Sequence, residues 1–188
     1  MPTALMLLTT GFEEIEAMTT IDILRRCDVK VTVAGLVPEP VDGAHKIRII
    51  PDISIEEINL HDFDAVILPG GAPGYQNLRD DQRVIQIVKA AFEQGKIVAA
   101  ICGAPAVLSD AEIIKGKKCT IYPGMEEELK KGGGLPQKDI VVIDDNIVTS
   151  KGPATALPFA LALAEIMTGK EIAQNTRKNT LSDLVLVD

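Results

Sequence analysis

The stretch Lys96-Ile97-Val98-Ala99-Ala100-Ile101-Cys102-Gly103-Ala104-Pro105-Ala106-Val107-Leu108 decides the fold, because it predicts a buried strand that runs directly into a helix. Small residues around Cys102 permit a sharp turn, and Pro105 suits the first turn of a helix, where a backbone N–H is not needed. A side chain at such a corner projects beyond the sheet, as the nucleophile does in the strand-turn-helix elbow of hydrolases. The positive end of the helix dipole favours thiolate over thiol, so the pattern predicts a reactive Cys102.

The cysteine content limits the chemistry that is open to this residue. The chain has three cysteines, at positions 27, 102 and 119, and their spacing matches no metal motif. Because the number is odd and the chain has only two histidines, we expect neither a disulfide framework nor a metal site. Since free cysteines are typical of a reducing compartment, we predict a cytoplasmic location. A lone cysteine in an apolar run is more often a small buried core residue, so the rest of the chain has to decide between the two interpretations.

Length and composition predict a single domain that spans residues 1–188. Aromatic residues make up only 3% of the chain, which indicates a core of Val, Ile, Leu and Ala. Nineteen Lys and Arg residues against 27 Asp and Glu residues give a net charge of −8, which argues against nucleic acid as a partner. We expect no signal peptide, since the first residues lead into a strand pattern without a basic segment, and no membrane helix, since no apolar span of about 18 residues occurs.

Apolar runs alternate with helical patterns, which is typical of an α/β fold with parallel strands. The predicted strands are 3–8, 29–35, 65–68, 97–101, 117–121, 140–143 and 146–149. The predicted helices are 13–26, 55–60, 81–94, the one that follows Cys102, 125–131, 154–167 and 170–176. Residues 41–50 predict a small hairpin, 132–134 a linker, and 184–187 an apolar tail that packs down or pairs with another chain.

Loops that follow parallel strands gather at one edge of the sheet, where such folds bind ligands. Gly70 and Gly71 follow one buried strand, and Gly103 follows another. Because glycines expose their backbone N–H groups, Gly71 and Gly103 together predict an oxyanion hole, although a glycine pair is also common in ordinary loops. Three glutamates open the first long helix, where acidic residues also occur for stability alone.

The combined pattern resembles the DJ-1/PfpI (ThiJ) superfamily, and within it the DJ-1-like branch. It consists of Leu68-Pro69-Gly70-Gly71, Ala99-Ala100-Ile101-Cys102-Gly103-Ala104-Pro105, and flanking matches at Gly11-Phe12-Glu13-Glu14-Ile15-Glu16 and Thr149-Ser150-Lys151-Gly152-Pro153. The resemblance covers nearly the whole chain. It implies a three-layer, flavodoxin-like sandwich of the class I glutamine amidotransferase type, with a mostly parallel central sheet and a small β-hairpin.

The resemblance also implies the site. The nucleophilic, oxidation-sensitive cysteine corresponds to Cys102, and its partner glutamate to Glu16 rather than to the two glutamates before it. A carboxylate would repel a thiolate, so the pairing requires a protonated Glu16 that donates a hydrogen bond. The candidate oxyanion-hole and substrate-binding residues around this pair are Gly70, Gly71, Gly103, Tyr122 and Pro153.

This chain departs from the family at two positions where relatives carry a histidine, because it has Gly103 directly after the cysteine and Tyr122 after a later strand. Without a general acid of near-neutral pKa, peptide or amide hydrolysis is poorly supported. In the DJ-1-like branch a homodimer brings a basic hairpin residue towards the partner's cysteine. We therefore expect His45 and Arg26 to add positive charge there.

Three functions are considered from this resemblance. Similar proteins are described as cofactor-free glyoxalases or deglycases, in which Cys102 adds to a 2-oxoaldehyde such as methylglyoxal, or to a glycated adduct, while Glu16 moves the proton. The alternative is a redox sensor or stress-protective chaperone in which Cys102 is oxidised to sulfenic and sulfinic acid. An intracellular cysteine peptidase is the third and weakest interpretation.

Overall fold

The stretch that contains Cys102 forms a central strand and the helix that follows it. This computed structural model describes residues 1–37 and 39–186. Its strands are β1 Thr3–Leu8, β2 Lys30–Gly35, β3 Val41–Asp42, β4 Arg48–Ile49, β5 Ile53–Ser54, β6 Ala65–Leu68, β7 Ile97–Ile101, β8 Lys118–Cys119, β9 Leu135–Pro136, β10 Val141–Asp144 and β11 Ile147–Ser150. Its α-helices are α1 Glu14–Arg26, α2 Gly74–Asp80, α3 Gln82–Glu93, α4 Pro105–Asp110, α5 Glu126–Lys131, α6 Ala156–Thr168 and α7 Lys170–Asn179.

Within the described ranges, seven strands form the central sheet in the order β10-β11-β7-β6-β1-β2-β5. Every neighbouring pair is parallel except β10 and β11, which form an antiparallel edge around the turn at Asp145 and Asn146. Strand β7 lies between β6 and β11, so both of its edges are hydrogen-bonded. The elbow therefore projects from the interior of the sheet.

Side-chain alternation along the strands divides the core between two layers of helices. In β7, Val98 and Ala100 face the core on the side of α3 and α4, whereas Ala99 and Ile101 face the core on the side of α1 and α6. Because both faces are covered, the central strands are continuous apolar runs. The structure is thus the three-layer α/β sandwich with a mostly parallel sheet that the sequence predicts, and β3 with β4 forms the predicted hairpin.

Some local predictions were wrong. The predicted helix at 55–60 is two short 3-10 helices, Ile55–Glu57 and Leu60–Asp62. Helix α2 was not predicted. The glycine run 132–134 is not a linker but a tight turn, in which the Gly134 N–H donates to the Leu129 carbonyl at 2.9 Å.

The apolar tail is only partly described, since Val187 lies outside the described residues. Leu186 packs against a small cluster of α1 and α6 side chains, whereas Leu184 and Val185 remain exposed. Among the described residues, no helix has both the length and the apolar character that crossing a membrane requires.

Candidate active site

Cys102 lies at the end of β7 in a left-handed backbone conformation, with φ of +66°. Such a conformation costs about 1–3 kcal/mol in a residue with a side chain, so surrounding contacts have to hold it. The Cys102 N–H donates to the Ser150 carbonyl at 3.0 Å, and the Cys102 carbonyl accepts from the Tyr122 N–H at 2.9 Å. The elbow is fixed on both sides, and the Cys102 side chain is partly exposed while Cys27 and Cys119 are buried.

Helix α1 carries Glu16 to this elbow. The Glu13 side chain caps the helix, because its Oε2 accepts from the Glu16 N–H at 2.8 Å. The Glu13 N–H donates to the Gly70 carbonyl at 2.9 Å, and the Gly70 N–H donates to Glu16 Oε2 at 2.7 Å. The start of α1 and the loop after β6 are therefore clamped together, and the Glu16 carboxyl points at the carboxyl edge of the sheet.

Glu16 and Cys102 lie close together, on either side of Gly70. A Cβ at Gly70 would lie 2.9 Å from Glu16 Oε2 and 3.0 Å from Cys102 Sγ, so these two atoms are at most about 6 Å apart. Any side chain at position 70 would also come within 2.5 Å of the Cys102 Cβ. The close approach of carboxyl and thiol thus depends on a glycine at this position.

The ionisation of Glu16 is strongly affected by its surroundings. Burial raises the pKa of this carboxyl from 4.5 to about 7, although hydrogen bonds with Gly70 and Cys102 act in the opposite direction. The second oxygen, Oε1, is buried and makes no hydrogen bond with any described residue. A carboxyl group with a near-neutral pKa and a free oxygen is suited to proton transfer.

The expected low pKa of Cys102 was wrong for the state in which Glu16 is ionised. Burial and then the Glu16 charge raise the pKa of the thiol to about 12, while the nearby N–H groups of Gly71 and Gly103 lower it. Two negative charges cannot coexist at this separation in a buried site. Between pH about 7 and about 12 the pair therefore carries one negative charge and one shared proton, and it titrates as a unit.

The other predicted binding residues lie around the elbow. Gly71 and Gly103 place their N–H groups beside the thiol. The Tyr122 side chain is half-exposed and lies next to Gly152, where an added Cβ would meet the tyrosine ring at 3.4 Å. Pro153 follows Gly152 as the first residue of a 3-10 helix, Pro153–Thr155, directly after β11.

The two residues expected to act across a dimer lie apart, because His45 in the β3–β4 hairpin contacts the first turn of α1 and Arg26 is the last residue of that helix. His45 is exposed, but its Nδ1 is 2.8 Å from Glu14 Oε2 and its backbone N–H donates to Glu14 Oε1 at 2.6 Å. The bond with Glu14 raises the pKa of His45. Arg26 is exposed and pairs with Asp22, one turn earlier in the helix, at 2.8 Å.

One group among the described residues has the donor set for a metal ion. Ligand atoms of Glu13, Glu14 and His45 lie within 4.8 Å of one another, although the sequence predicts no metal site. Their present hydrogen bonds have a structural role, since Glu13 caps α1 and Glu14 anchors the hairpin through the backbone of His45. We therefore assign this group to the architecture of the site.

The sequence patterns did not identify two residues of this site, Glu13, which bonds to Glu16, and Tyr75, which contacts Gly103. Glu13 was not distinguished from a generic acid at a helix start, although its spacing of three residues from Glu16 is that of a side-chain cap. Tyr75 was not considered, although its ring lies against Gly103. The available signal was that the chain has only two tyrosines and that this one follows the Gly-Gly loop.

The fold and the site define a class of protein: a three-layer α/β sandwich with a cysteine at a strained strand-helix elbow and a buried glutamate beside it. The sequence model of the DJ-1/PfpI family matches residues 2–166. This chain belongs to the DJ-1/PfpI family.

Individual relatives agree with this assignment. Protein dj-1beta of Drosophila melanogaster is 39% identical over 179 residues, which are 95% of this chain and 96% of that protein. Its crystal structure superposes with a TM-score of 0.90 over 96% of this chain and 97% of the other. The oxidized Toxoplasma gondii DJ-1 has a TM-score of 0.90 at 32% identity, covering 96% of this chain and 98% of its own. A Caenorhabditis elegans protein named glutathione-independent glyoxalase is 37% identical over 159 residues, 85% of this chain and 84% of that protein.

Proposed function

We propose that this protein is a cofactor-independent glyoxalase that converts small 2-oxoaldehydes such as methylglyoxal into 2-hydroxy acids. The observation that carries the proposal is the buried Glu16, with a pKa of about 7 and an unpartnered oxygen, beside the thiol of Cys102. The name of the Caenorhabditis elegans relative supports the substrate class.

The first step is addition of the thiol to the aldehyde. Cys102 Sγ forms a bond to the aldehyde carbon, and the ionised Glu16 carboxylate takes the thiol proton as the bond forms. The aldehyde oxygen becomes negative in the transition state, where the N–H groups of Gly71 and Gly103 stabilise it. Glu16 then returns the proton to that oxygen, which gives a neutral hemithioacetal.

The second step is an isomerisation that moves hydrogen only as protons. Glu16 removes the proton from the carbon bonded to sulfur and an enediol forms, after which a proton is delivered to the neighbouring carbon. The product is a thioester of the 2-hydroxy acid on Cys102. Water hydrolyses this thioester, which releases the acid and restores the thiol. Because hydrogen moves as protons and water is the only other reactant, the sequence of steps needs no cofactor.

The assay follows methylglyoxal consumption together with lactate formation. We expect Cys102→Ser and Glu16→Ala to abolish both, because one removes the nucleophile and the other removes the group that accepts its proton. The matched control is Cys27→Ser, which changes a buried cysteine that bonds to Thr176. Turnover that survives in Cys102→Ser would contradict the proposal, as would a wild-type protein that consumes no methylglyoxal.

A second candidate function is supported by the exposure of the cysteines. Cys102 is the only one of the three that is partly exposed, and the Toxoplasma gondii relative was solved in an oxidized form. Peroxide would oxidise the Cys102 thiol to sulfenic acid and a second peroxide would give sulfinic acid, each step releasing water. A protonated Glu16 can then donate a hydrogen bond to the sulfinate.

Intact mass measurement after mild peroxide treatment tests this function on the same preparation as the methylglyoxal assay. A gain of two oxygen atoms that disappears in Cys102→Ser, without lactate formation by the untreated protein, favours the redox sensor. Deglycase activity on glycated adducts would use the same nucleophile and is tested with Cys102→Ser on such an adduct. A chaperone role is tested by suppression of aggregation before and after peroxide.

Peptide hydrolysis has the weakest support. His45 is bonded to Glu14, and His61 lies just before β6, at the edge of the sheet opposite Cys102. A peptidase would therefore need a histidine from another subunit.

We further propose a cytoplasmic homodimer in which His45 and Arg26 add positive charge near the partner's cysteine. The test mixes inactive Cys102→Ala subunits with His45→Ala subunits. In the mixed dimer, the intact cysteine of one subunit faces the intact His45 of the other, so activity should recover. Absence of recovery in a verified mixed dimer argues against a role for His45 across the interface.

A further inference from the structure

The ring of Tyr75 occupies the space that a side chain at position 103 would need. A Cβ at Gly103 would lie 2.7 Å from Tyr75 Cδ1, 2.8 Å from Cγ and 3.0 Å from Cε1. These atoms form one edge of the ring and include Cγ, which is fixed to the Tyr75 Cβ, so turning the ring about its own axis cannot by itself remove the collision. With Tyr75 in this position, any residue other than glycine after Cys102 would force the ring or the elbow to shift.

The backbone of the same tyrosine is bonded to the other oxyanion-hole residue. The Tyr75 N–H donates to the Gly71 carbonyl at 2.8 Å, in the first turn of α2. The side chain is partly buried against the core layer that also contains Leu78 and Ala104. One residue thus contacts Gly71 through its backbone and Gly103 through its ring, and the N–H groups of both glycines face Cys102.

We propose that Tyr75 is a positioning residue, whose ring and backbone hold the N–H groups of Gly71 and Gly103 at the spacing that the chemistry of Cys102 requires. The inference rests on the proposed Cys102 chemistry and adds a residue to it. It also gives a physical cause for one departure from the family pattern, because the Cβ of a histidine at position 103 would collide with the Tyr75 ring.

The test measures how Tyr75 and Gly103 depend on each other. Reduced protein is alkylated with iodoacetamide between pH 5 and 10, and kcat and KM for methylglyoxal are measured on the same samples. We expect Tyr75→Ala to lower kcat and the alkylation rate about tenfold, because the ring that packs against Gly103 is lost, whereas the backbone bond to Gly71 remains. Tyr75→Phe keeps the ring and should restore the wild-type pH profile.

While Tyr75 is present, Gly103→Ala should lower kcat and the alkylation rate about 100-fold, since the ring and the elbow have to move apart. In the Tyr75→Ala background the same methyl group has room, so we expect an additional loss of no more than about threefold. Equal losses in the two backgrounds, or a Tyr75→Ala protein with wild-type kinetics, would overturn the inference. Thermal melting shows which variants are folded, and the comparison of Tyr75→Ala with Tyr75→Phe remains decisive if Gly103→Ala does not fold.

The alkylation data separate this inference from the proposed function. A wild-type protein without methylglyoxal turnover would end the glyoxalase proposal, but alkylation of Cys102 would still depend on Tyr75 if the positioning role is correct. The opposite result is that the wild type turns over methylglyoxal and that Tyr75→Ala has the same turnover and alkylation rates. This result would leave the glyoxalase proposal intact and refute the positioning role.

Discussion

Replacing Glu16 by glutamine should change how the stability of the protein depends on pH. Glu16 is fully buried, and its carboxyl group has a pKa of about 7 instead of 4.5, chiefly because of that burial. Glutamine has nearly the same shape and can still accept the hydrogen bond from the Gly70 N–H, but it does not titrate. The substitution therefore removes one ionisation with little change in packing.

The sign and the size of the effect follow from proton linkage. Between pH 4.5 and about 7 the folded protein keeps a proton on Glu16 that the unfolded chain has already lost. The free energy of unfolding of the wild type therefore falls as pH rises through this window, and the loss is complete above it. The difference between the two pKa values corresponds to about 3 kcal/mol. Relative to the wild type, Glu16→Gln should gain about this amount between pH 4 and pH 8.

Urea denaturation of both proteins at several pH values between 4 and 8.5 measures this difference. Glu165→Gln provides the matched control, because it makes the same chemical change at an exposed position of α6 and should leave the difference from the wild type constant. In a Cys102→Ala background the thiol hydrogen bond that lowers the pKa of Glu16 is absent, so the transition should move to higher pH. A difference between Glu16→Gln and the wild type that stays constant from pH 4 to 8.5 refutes the reasoning.

Other substitutions test separate parts of the structure. Gly70→Ala should destabilise the fold by about 1–3 kcal/mol and suppress Cys102 alkylation, because its methyl group collides with the cysteine; wild-type values in urea denaturation and alkylation would contradict this. His45 should titrate above its ordinary pKa of 6.5 in an NMR experiment, because Glu14 bonds to its ring, and Glu14→Gln should lower the pKa of His45 towards that value. An unchanged His45 titration in Glu14→Gln would show that the contact is absent in solution. Asp81→Ala should cost about 1 kcal/mol in urea denaturation by removing the side-chain cap of α3, whereas Asp81→Asn should keep most of it; equal losses would argue against a capping role.

Much of the fold follows from local sequence patterns. The apolar runs of β1, β6 and β7 predict strands that are covered on both faces, and the structure buries them in this way. Helix α2 was missed because Ala72-Pro73-Gly74 has the composition of a turn, and its packing depends on Tyr75 and Leu78. The two-residue strand β5 is too short to produce a pattern, and its pairing with β2 exists only in the assembled sheet.

The sequence by itself determined the layered α/β fold, the family resemblance and the elbow at Cys102, because periodicity, small residues and Pro105 act over a few neighbouring positions. Only the tertiary structure decided the electrostatics of the site. Cys102 and Glu16 are distant in sequence, and burial in the folded protein raises the pKa of each group. The helix dipole predicted a lowered pKa for the Cys102 thiol, and this direction was wrong. Desolvation and the Glu16 charge raise the pKa instead, and both are properties of the packed molecule that exceed the effect of one short helix.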